Sequence, residues 1–448
     1  MNSRFTLHHG DNREVLKTFE DNSVDSIVCD PPYELGFMGK KWDSTGIAYD
    51  VSLWAECLRV LKPGGHLIAF GGTRTYHRMT CAIEDAGFEI RDSVIWMYGS
   101  GFPKSHNVSK AIDATIQLGG SNSRKLRQTE QDTGGESYKL KGRNNGILGE
   151  ERTYDRKEWS PATPEAQQWH GWGTALKPAH EPAVLARKPL TGTVADNVLT
   201  WGVGALNIDG CRVEYDGKAP TGSGSDNNLI YGHRKGNGGN ETSPLGRWPA
   251  NVILDEHAAE ALDEQSGYSK SKAPSPNVPY GAKDKVENDN SIYRRGLGTK
   301  YPGVAPYNDS GGASRFFYIA KASRAEREAG LEGMEVRVIA ERDKDGNLLA
   351  SEWRSDPRSP NGGYENKPTA PRANHHPTVK PIALMRHLVC LVTPKGGTVL
   401  DPFMGSGSTG CAAMMEGMRF VGIDITAEYV DIAERRIQYW MNQNPMEL

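Results

Sequence analysis

The sequence is poor in apolar residues and contains no long apolar run. Only 37% of its 448 residues are hydrophobic, whereas 51 are glycine and 26 are proline, so we expect a large share of loops. No stretch approaches the roughly 20 apolar residues that a transmembrane helix requires, and residues 1–4 lack the apolar region of a signal peptide. These absences favour a cytoplasmic protein with no membrane partner.

Paired cysteines and an excess of charge are missing as well. The six cysteines never form a Cys-x-x-Cys pair and stand mostly in apolar runs, which indicates buried reduced thiols rather than disulfides or a zinc site. Two pairs of adjacent histidines occur, but neighbouring side chains point in different directions, so we expect no metal. A net charge of -3 excludes a generally basic protein and leaves room for local basic patches.

The most informative stretch is an apolar run that ends abruptly in Asp30-Pro31-Pro32-Tyr33. Residues 27–29 predict a strand buried on both faces, and two prolines end it because proline cannot donate to a strand ladder. A carboxylate, a free carbonyl and an aromatic face then meet at one point. This set suits a flat ring with an amine: Tyr33 can stack on the ring, while Asp30 and the Pro31 carbonyl accept its two N–H groups. By itself, the stretch is as typical of a strand followed by a proline turn.

Strands and helices alternate at both ends of the chain, which predicts a mostly parallel sheet with ligands at the carboxyl ends of its strands. In the first part we predict strands at 4–9, 27–29, 66–70 and 88–97, and helices at 13–19, 51–61, 76–86 and 108–118. In the last part we predict a helix with Pro381 in its first turn, strands at 398–400 and 420–423, a helix through Ala413 and Met414, and a helix from 428 to about 441. Between them, 119–175 and 217–246 predict loops, and 181–187 an isolated strand.

A glycine-rich loop follows the predicted strand 398–400. Gly405, Gly407 and Gly410 form the pattern G-x-G-x-x-G, and Asp424 follows 19 residues after Gly405 at the end of the next strand. Glycines that allow close backbone approach, together with a carboxylate for the ribose hydroxyls, fit an adenosine moiety, and a dinucleotide such as NAD stays possible. No Lys-Ser or Lys-Thr follows the loop, which argues against a P-loop nucleotidase.

This loop lies close to the end of the chain, whereas an NAD fingerprint usually belongs to the first strand of its domain. The last predicted helix has no further strand to enter, but the strand 4–9 can supply one. The sheet would then run from the glycine loop through Asp424 to Asp11 and on to Asp30, and the chain would be a circular permutation.

Together these residues resemble the amino-group DNA methyltransferases that use S-adenosylmethionine, in the permuted order called the beta class. Residues 30–33 resemble the catalytic motif of that family, 401–407 its cofactor loop and 376–381 its additional cofactor motif. The resemblance implies an α/β fold with a Rossmann-like, doubly wound, mostly parallel sheet, circularly permuted and carrying a long loop-rich target-recognition insertion. The implied domains are a catalytic half at 1–118 completed by a late core strand at 178–190, a loop-rich insertion at 119–177, a target-recognition region at 191–370 and a cofactor-binding half at 371–448.

The same resemblance implies that a homodimer transfers the methyl group of S-adenosylmethionine to N6 of an adenine flipped out of double-stranded DNA. Its catalytic residues would be Asp30, Pro31, Pro32 and Tyr33. Its cofactor-binding residues would be Asp11, Asn12, Thr378, Lys380, Asp401, Pro402, Phe403, Gly405, Ser406, Gly407 and Asp424. Phe403 would pack on the cofactor, Asp424 bind its ribose and Asp11 its adenine amine, with Thr378 and Lys380 at its methionine end. Methylation of cytosine N4, a catalytically silent DNA-binding regulator and an NAD-dependent enzyme are the alternatives.

Two segments are locally basic and could contact DNA. Residues 104–143 contain eight Lys or Arg against four acids, and residues 291–325 contain six against one. Aromatic residues at 316–318 accompany the second segment, a mixture typical of nucleic-acid surfaces, although a solvated polar surface explains either segment alone. The candidate DNA-binding residues are Lys104, Ser105, Arg294, Arg295 and Arg315.

Overall fold

The computed structural model describes residues 4–35, 44–101, 105–120, 137–144, 147–155, 160–215, 245–270, 310–321, 323–336, 341–342, 348–350 and 372–443. The chain forms two compact units, one made of 1–100 with 179–448 and the other of 101–178. Within the described ranges, no helix has the length and apolar character that crossing a membrane requires. All six cysteines are free thiols, and four of them are buried, whereas Cys81 is exposed and Cys390 half-buried.

The first hundred residues follow the predicted alternation closely. They form β1 (Phe5–His9), α1 (Asn12–Val15), β2 (Val24–Cys29), α2 (Val51–Val60), β3 (Leu61–Phe70), α3 (Tyr76–Asp85) and β4 (Glu89–Met97). One boundary was wrong, because the stretch 62–65 was predicted to separate a helix from a strand and instead belongs to β3. The pairing of β3 with β2 shifts register between Val24 and Ser26, which accommodates the proline and the two glycines of that stretch.

The second unit contains α4 (Val108–Leu118), β5 (Ser137–Asn144), β6 (Ile147–Asp155) and α5 (Pro164–Gln168). Strands β5 and β6 form an antiparallel hairpin. The expectation that 119–175 holds only loops was therefore wrong, since a hairpin can form from polar residues when backbone pairing and a turn suffice. Helix α4 belongs to this unit, whereas the sequence places it in the catalytic half.

The chain then returns to the first unit. It continues with β7 (His180–Arg187), α6 (Val194–Trp201), β8 (Val252–Asp255), α7 (Glu256–Ser266), β9 (Ser269–Lys270), β10 (Ser310–Gly311), β11 (Tyr318–Ala320), α8 (Arg324–Glu328), β12 (Glu341–Arg342) and β13 (Leu348–Ala350). It ends with α9 (Ile382–Val392), β14 (Thr398–Asp401), α10 (Ser408–Met415), β15 (Arg419–Asp424) and α11 (Ala427–Gln443). Pro381 caps α9 from outside its first turn.

A nine-stranded sheet organises this unit, in the order β1-β15-β14-β2-β3-β7-β4-β8-β11. Every pair is parallel except those of β7, which is antiparallel to β3 and β4. Side chains of one face pack with α9, α10 and α11, and those of the other face pack with α2 and α3. The predicted mostly parallel α/β sheet with helices on both faces is confirmed, and the strand at 181–187 is part of it rather than isolated.

The predicted strand order was wrong in one respect. Strand β2 pairs with β14 and β3, whereas the sequence analysis placed it beside β1. Strand β1 instead forms the edge of the sheet and pairs only with β15 in the described residues. The physical reason is burial: every residue of β2 is buried, as expected of a central strand, whereas no residue of β1 is fully buried, which an edge strand tolerates.

Candidate active site

Four neighbouring parallel strands end in acidic residues at one edge of the sheet. Asp401 and Asp424 are the last residues of β14 and β15, Asp30 directly follows β2, and Asp11 lies two residues after β1. Between β14 and β2 the strand order reverses direction, because the chain leads from β14 to β15 on one side and from β2 to β3 on the other. Such a switch point leaves a crevice at the carboxyl ends, where open α/β sheets bind ligands.

The Asp30 side chain is half-buried, and only one of its two carboxylate oxygens has a hydrogen-bond partner among the described residues. Its Oδ2 accepts a hydrogen bond of 2.5 Å from Lys380 Nζ. Its Oδ1 is buried and has no hydrogen-bond partner among the described residues. Burial raises the pKa of Asp30, and the Lys380 ammonium only partly offsets this. A buried acceptor without a partner costs free energy. A ligand that donates a hydrogen bond to Asp30 Oδ1 would remove this cost.

The Lys380 ammonium also connects two further side chains. Tyr33 Oη donates to Glu181 Oε2 at 2.8 Å and accepts from Lys380 Nζ at 3.0 Å. Lys380 Nζ lies 3.2 Å from Glu181 Oε2, and the lysine side chain is 8% exposed. Burial lowers the pKa of Lys380, but the charges of Asp30 and Glu181 outweigh burial and the net pKa is raised. The lysine is therefore a cation at neutral pH.

A side-chain hydroxyl and close packing hold the loop that carries Tyr33. Thr75 Oγ1 donates to the Tyr33 carbonyl at 2.6 Å. Pro31 is buried, and Pro32 is half-buried. Gly72 lies just after the end of β3, and a Cβ at this position would come within 3.2 Å of Tyr33 Cβ. The absence of a side chain at Gly72 therefore lets Tyr33 lie close to the backbone there. Tyr33 thus has a defined position next to Asp30.

The glycine loop between β14 and α10 adopts conformations that favour glycine. Gly405 and Gly407 have φ of 53° and 79°. Gly405 N donates to Asp424 Oδ2 and Thr426 N donates to Asp424 Oδ1, each at 2.8 Å. A Cβ on Gly405 would lie 2.7 Å from Nε2 of His376. The loop is therefore held against both Asp424 and the segment before α9.

Two predicted cofactor residues contact the loop itself. Asp401 is buried and accepts hydrogen bonds from Phe403 N at 3.0 Å and from Thr409 Oγ1 at 2.6 Å. Burial raises its pKa to about 7. Asn12 Nδ2 donates to the Pro402 carbonyl at 2.9 Å. These contacts give Asp401 and Asn12 a role in shaping the loop.

The remaining predicted cofactor residues lie around the same crevice. Asp11 caps α1 and is ion-paired with Arg13 at 2.6 Å. The Phe403 ring is tilted against Trp54 with centroids 6.1 Å apart. Thr378 is exposed, and its carbonyl accepts a hydrogen bond of 2.7 Å from His376 Nδ1. Burial lowers the pKa of His376 to about 4, so this imidazole is neutral.

Two residues of the site were not foreseen from the sequence. Glu181 at the start of β7 meets Lys380 and Tyr33, and its only signal was an acid at the entry of an apolar strand. Arg436 of α11 is fully buried and donates to the Ser406 carbonyl at 2.5 Å and to Ser406 Oγ at 3.1 Å. It was hidden among the charged residues of an amphipathic helix.

Two of the five candidate DNA-binding residues lie in the described part of the chain, one in each unit. Lys104, Arg294 and Arg295 lie outside the described residues. Ser105, in the second unit, accepts a hydrogen bond of 2.9 Å from Thr174 N. Arg315, in the first unit, donates to the carbonyls of Gly311 and Gly312 and stacks on Phe316 at 4.2 Å. Both described side chains therefore have local structural partners.

Comparison with known proteins identifies relatives of this arrangement. A family model described as DNA methylase matches residues 24–194 and 249–435. The type II methyltransferase M2.DpnII of Streptococcus pneumoniae is 46% identical over 66 residues, which is 15% of this chain and 25% of that protein. The DNA adenine methyltransferase YhdJ of Escherichia coli (strain K12) is 39% identical over 74 residues, or 16% and 25%. The matched part thus spans a quarter of the length of these relatives.

Alignments with solved structures were also found. The M1.HpyAVI–SAM complex aligns with a TM-score of 0.34 and 13% identity, covering 97% of this chain and 98% of that one. The PvuII DNA methyltransferase (cytosine-N4-specific) aligns with a TM-score of 0.40 and 12% identity, covering 98% and 92%. Scores of this size are too low to assign a role to any residue.

Proposed function

The chain belongs to the DNA methylase family, and from this premise we propose that it transfers the methyl group of S-adenosylmethionine to the N6 amine of adenine in DNA. The observation that carries the proposal is the Asp30 carboxylate. It is half-buried at the strand end beside the glycine loop, and its buried Oδ1 has no hydrogen-bond partner in the described part of the chain. An exocyclic amine of a base supplies the N–H donor that this oxygen needs.

The crevice fits the adenosine part of S-adenosylmethionine, which supplies an electrophilic methyl group on a sulfonium. Each oxygen of Asp424 accepts one backbone N–H, and a carboxylate oxygen can accept two hydrogen bonds. Asp424 therefore keeps acceptor capacity for ribose hydroxyls. Asp11 Oδ2 accepts one hydrogen bond and keeps a second position for an adenine amine. Phe403, half-buried beside Asp401, would pack on the ring, and Thr378 would face the methionine end.

The residues at the end of β2 can activate the amine of a base. The lone pair of such an amine is delocalised into the ring, which makes it a poor nucleophile. Asp30 Oδ1 and the Pro31 carbonyl would accept its two N–H groups, draw the nitrogen toward a tetrahedral form and free the lone pair for in-line attack. No covalent intermediate with the enzyme is required. In a duplex the base must first leave the stack, at a cost of a few kcal/mol that stacking on Tyr33 would help to offset.

The first prediction concerns the product, because adenine N6 and cytosine N4 offer the same pair of donors to Asp30 and Pro31. We expect N6-methyladenine. A purine gains more from stacking on Tyr33, and in the resembled family an aspartate at position 30 goes mainly with adenine. Mass spectrometry of nucleosides from DNA treated with the purified protein measures the product.

A matched reaction without S-adenosylmethionine is the control for methyl groups already present in the DNA. A main product of 4-methylcytosine would contradict the choice of base and leave the activation of the amine intact. Absence of any methylated nucleoside from DNA of varied sequence would contradict the proposed function itself.

The second prediction concerns Asp424. Replacing Asp424 by alanine removes the proposed hydrogen bonds to the ribose and the acceptor of Gly405 N. The binding free energy of S-adenosylmethionine should therefore weaken by about 1.5–3 kcal/mol, and its dissociation constant should rise accordingly. Titration calorimetry measures this. Asp431→Ala on the exposed face of α11, whose carboxylate pairs only with Arg435 among the described residues, is a suitable control. An unchanged affinity in Asp424→Ala would leave Asp424 as a strand-end cap alone.

Three further parts of the proposal concern the whole protein. The region 191–370 would choose the DNA sequence, since the residues at the sheet edge are assigned to cofactor and target base and base edges must be read from elsewhere.

The parallel pairing of β1 with β15 supports a permuted chain order, because it joins the first strand to the last one. Family resemblance adds a homodimer, which light scattering with and without DNA would test.

A further inference from the structure

Three charged side chains of alternating sign lie in contact at the target-base side of the crevice. Lys380 Nζ lies 2.5 Å from Asp30 Oδ2 and 3.2 Å from Glu181 Oε2. Their side chains are 8%, 18% and 22% exposed. Two carboxylates and one ammonium give this cluster, which we call the Asp-Lys-Glu cluster, a net charge of -1.

Other titratable groups face the cluster from the neighbouring strands. Tyr33 and Tyr98 are neutral, because burial raises the pKa of both phenols, that of Tyr98 to about 12. Asp255 at the end of β8 accepts hydrogen bonds from Gly99 N and Ala258 N, and Asp401 is bonded within the glycine loop. Lys380 is thus the one cation among these named groups, and Glu181 is the carboxylate that contacts it together with Asp30.

We propose that Glu181 is a positioning residue for methyl transfer, which holds Lys380 and Tyr33 in place and keeps the surroundings of the target amine negatively charged. The inference rests on the proposed function and assigns a new residue to it. Glu181 acts through Lys380 and Asp30 and through the Tyr33 hydroxyl, and it touches neither the base nor the methyl donor.

The need for a second carboxylate follows from the direction in which charge moves. As the amine nitrogen bonds to the methyl carbon, the bond from that carbon to sulfur would break, its electron pair would stay on sulfur, and a neutral thioether would leave. The positive charge thereby passes to the nitrogen, and one amine proton then passes to Asp30 Oδ1. Lys380 alone would neutralise Asp30 and repel the charge that develops on the nitrogen. Glu181 offsets the lysine, and in a water-poor site this electrostatic effect is larger than in bulk water.

Lys380 has a role of its own in this arrangement. Burial favours the protonated form of Asp30, which could no longer accept the amine proton, and the ammonium opposes that effect by lowering the pKa of the carboxyl. The resemblance to known methyltransferases places Lys380 at the methionine end of the cofactor. Its contacts in this structure place the ammonium on Asp30, Tyr33 and Glu181.

The test compares Glu181→Gln with Lys380→Met over a range of pH. Glutamine keeps an acceptor for Tyr33 and removes the charge, so we expect kcat to fall about tenfold or more while the dissociation constant of S-adenosylmethionine stays near the wild-type value. Glu181 raises the pKa of Asp30 and Lys380 lowers it. The acid limb of kcat/KM should therefore move to lower pH in Glu181→Gln and to higher pH in Lys380→Met.

Glu89→Gln is the matched control. Glu89 lies at the start of β4 and pairs at 2.6 Å with Arg187, at the opposite end of the strand that carries Glu181. This change makes the same substitution beside the same strand without touching the cluster. It should leave the acid limb where it is, even where it lowers thermal stability. A wild-type kcat in Glu181→Gln, or limbs that shift in the same direction in both cluster variants, would overturn the inference.

A second readout separates failure of this inference from failure of the proposed function. The carboxyl resonance of Asp30, in protein labelled with 13C at aspartate side chains and assigned with Asp30→Asn, reports its titration without any turnover. The opposite shifts of the two variants are expected here too. If the wild-type protein methylates no DNA, the proposed function fails, and the titration still confirms or refutes the charge relation between Glu181, Lys380 and Asp30.

Discussion

Replacing Asp30 by asparagine lowers the rate of methyl transfer by about 10²–10³-fold or more, the range found when one preorganised electrostatic group is removed from an active site. The amide has nearly the shape of the carboxylate, but it is neutral and cannot take the proton that the methylated amine loses. The affinity for S-adenosylmethionine should change little, because Asp30 is assigned to the target amine. Single-turnover methylation of DNA and titration calorimetry measure the two quantities separately.

Asparagine is the more informative variant at this position than alanine. Alanine would leave the buried Lys380 ammonium without an acceptor at position 30, whereas the amide oxygen of asparagine can still accept from it, so alanine would mix a loss of stability with a loss of chemistry. Asp25→Asn is the matched control, because Asp25 is buried near the start of the same strand and pairs with Lys62 at 2.6 Å. That variant should lose stability and keep its rate once folded. Substantial turnover in Asp30→Asn would remove Asp30 from the mechanism.

The sequence predicts the elements that surround the site because each has a local signal. The apolar run before Asp30, the glycine pattern after β14 and the helical spacing in α9 all depend on neighbouring residues, and the structure places these elements within a few residues of the prediction. The short strands β8 and β11 escaped prediction. They have four and three residues, too few to show a period.

The order of the strands has a signal in the sequence. A continuous apolar run such as 27–29 is expected of a central strand, whereas the alternation of 5–9 suits an edge. Comparing these two patterns would have placed β2 inside the sheet and β1 at its border. The error came from assigning neighbours by chain order alone.

Contacts between distant parts of the chain had no signal in the sequence. Lys380 lies 350 residues from Asp30 and 199 from Glu181, and each was interpretable only by its own neighbourhood. The lysine was therefore assigned through family resemblance to the cofactor, and Glu181 received no role. The role of a side chain that contacts a residue far away in the sequence cannot be predicted from its sequence neighbours, because only the folded structure brings the two residues together.

Arg436→Met should have the largest effect on the stability of the cofactor half. Arg436 is fully buried, and its guanidinium donates to the carbonyl and hydroxyl of Ser406 and to the Glu326 carbonyl at 3.3 Å. Methionine fills similar space without a donor. Removing the guanidinium leaves these buried acceptors without their donor, which typically costs about 1–3 kcal/mol for each group, and we expect the urea midpoint to fall accordingly.

The same substitution should weaken the binding of S-adenosylmethionine more than tenfold, about 1.4 kcal/mol, because Ser406 lies between the two glycines whose conformation shapes the loop. Arg435→Met is the matched control on the same helix, since Arg435 is 47% exposed and its pair with Asp431 is of a kind worth about 0–1 kcal/mol. If both variants unfold at the same urea concentration and bind the cofactor equally well, Arg436 does not hold the glycine loop. A stable Arg436→Met protein with weakened binding would instead show that the arginine shapes the loop without contributing net stability, as a buried charge whose desolvation cancels its contacts.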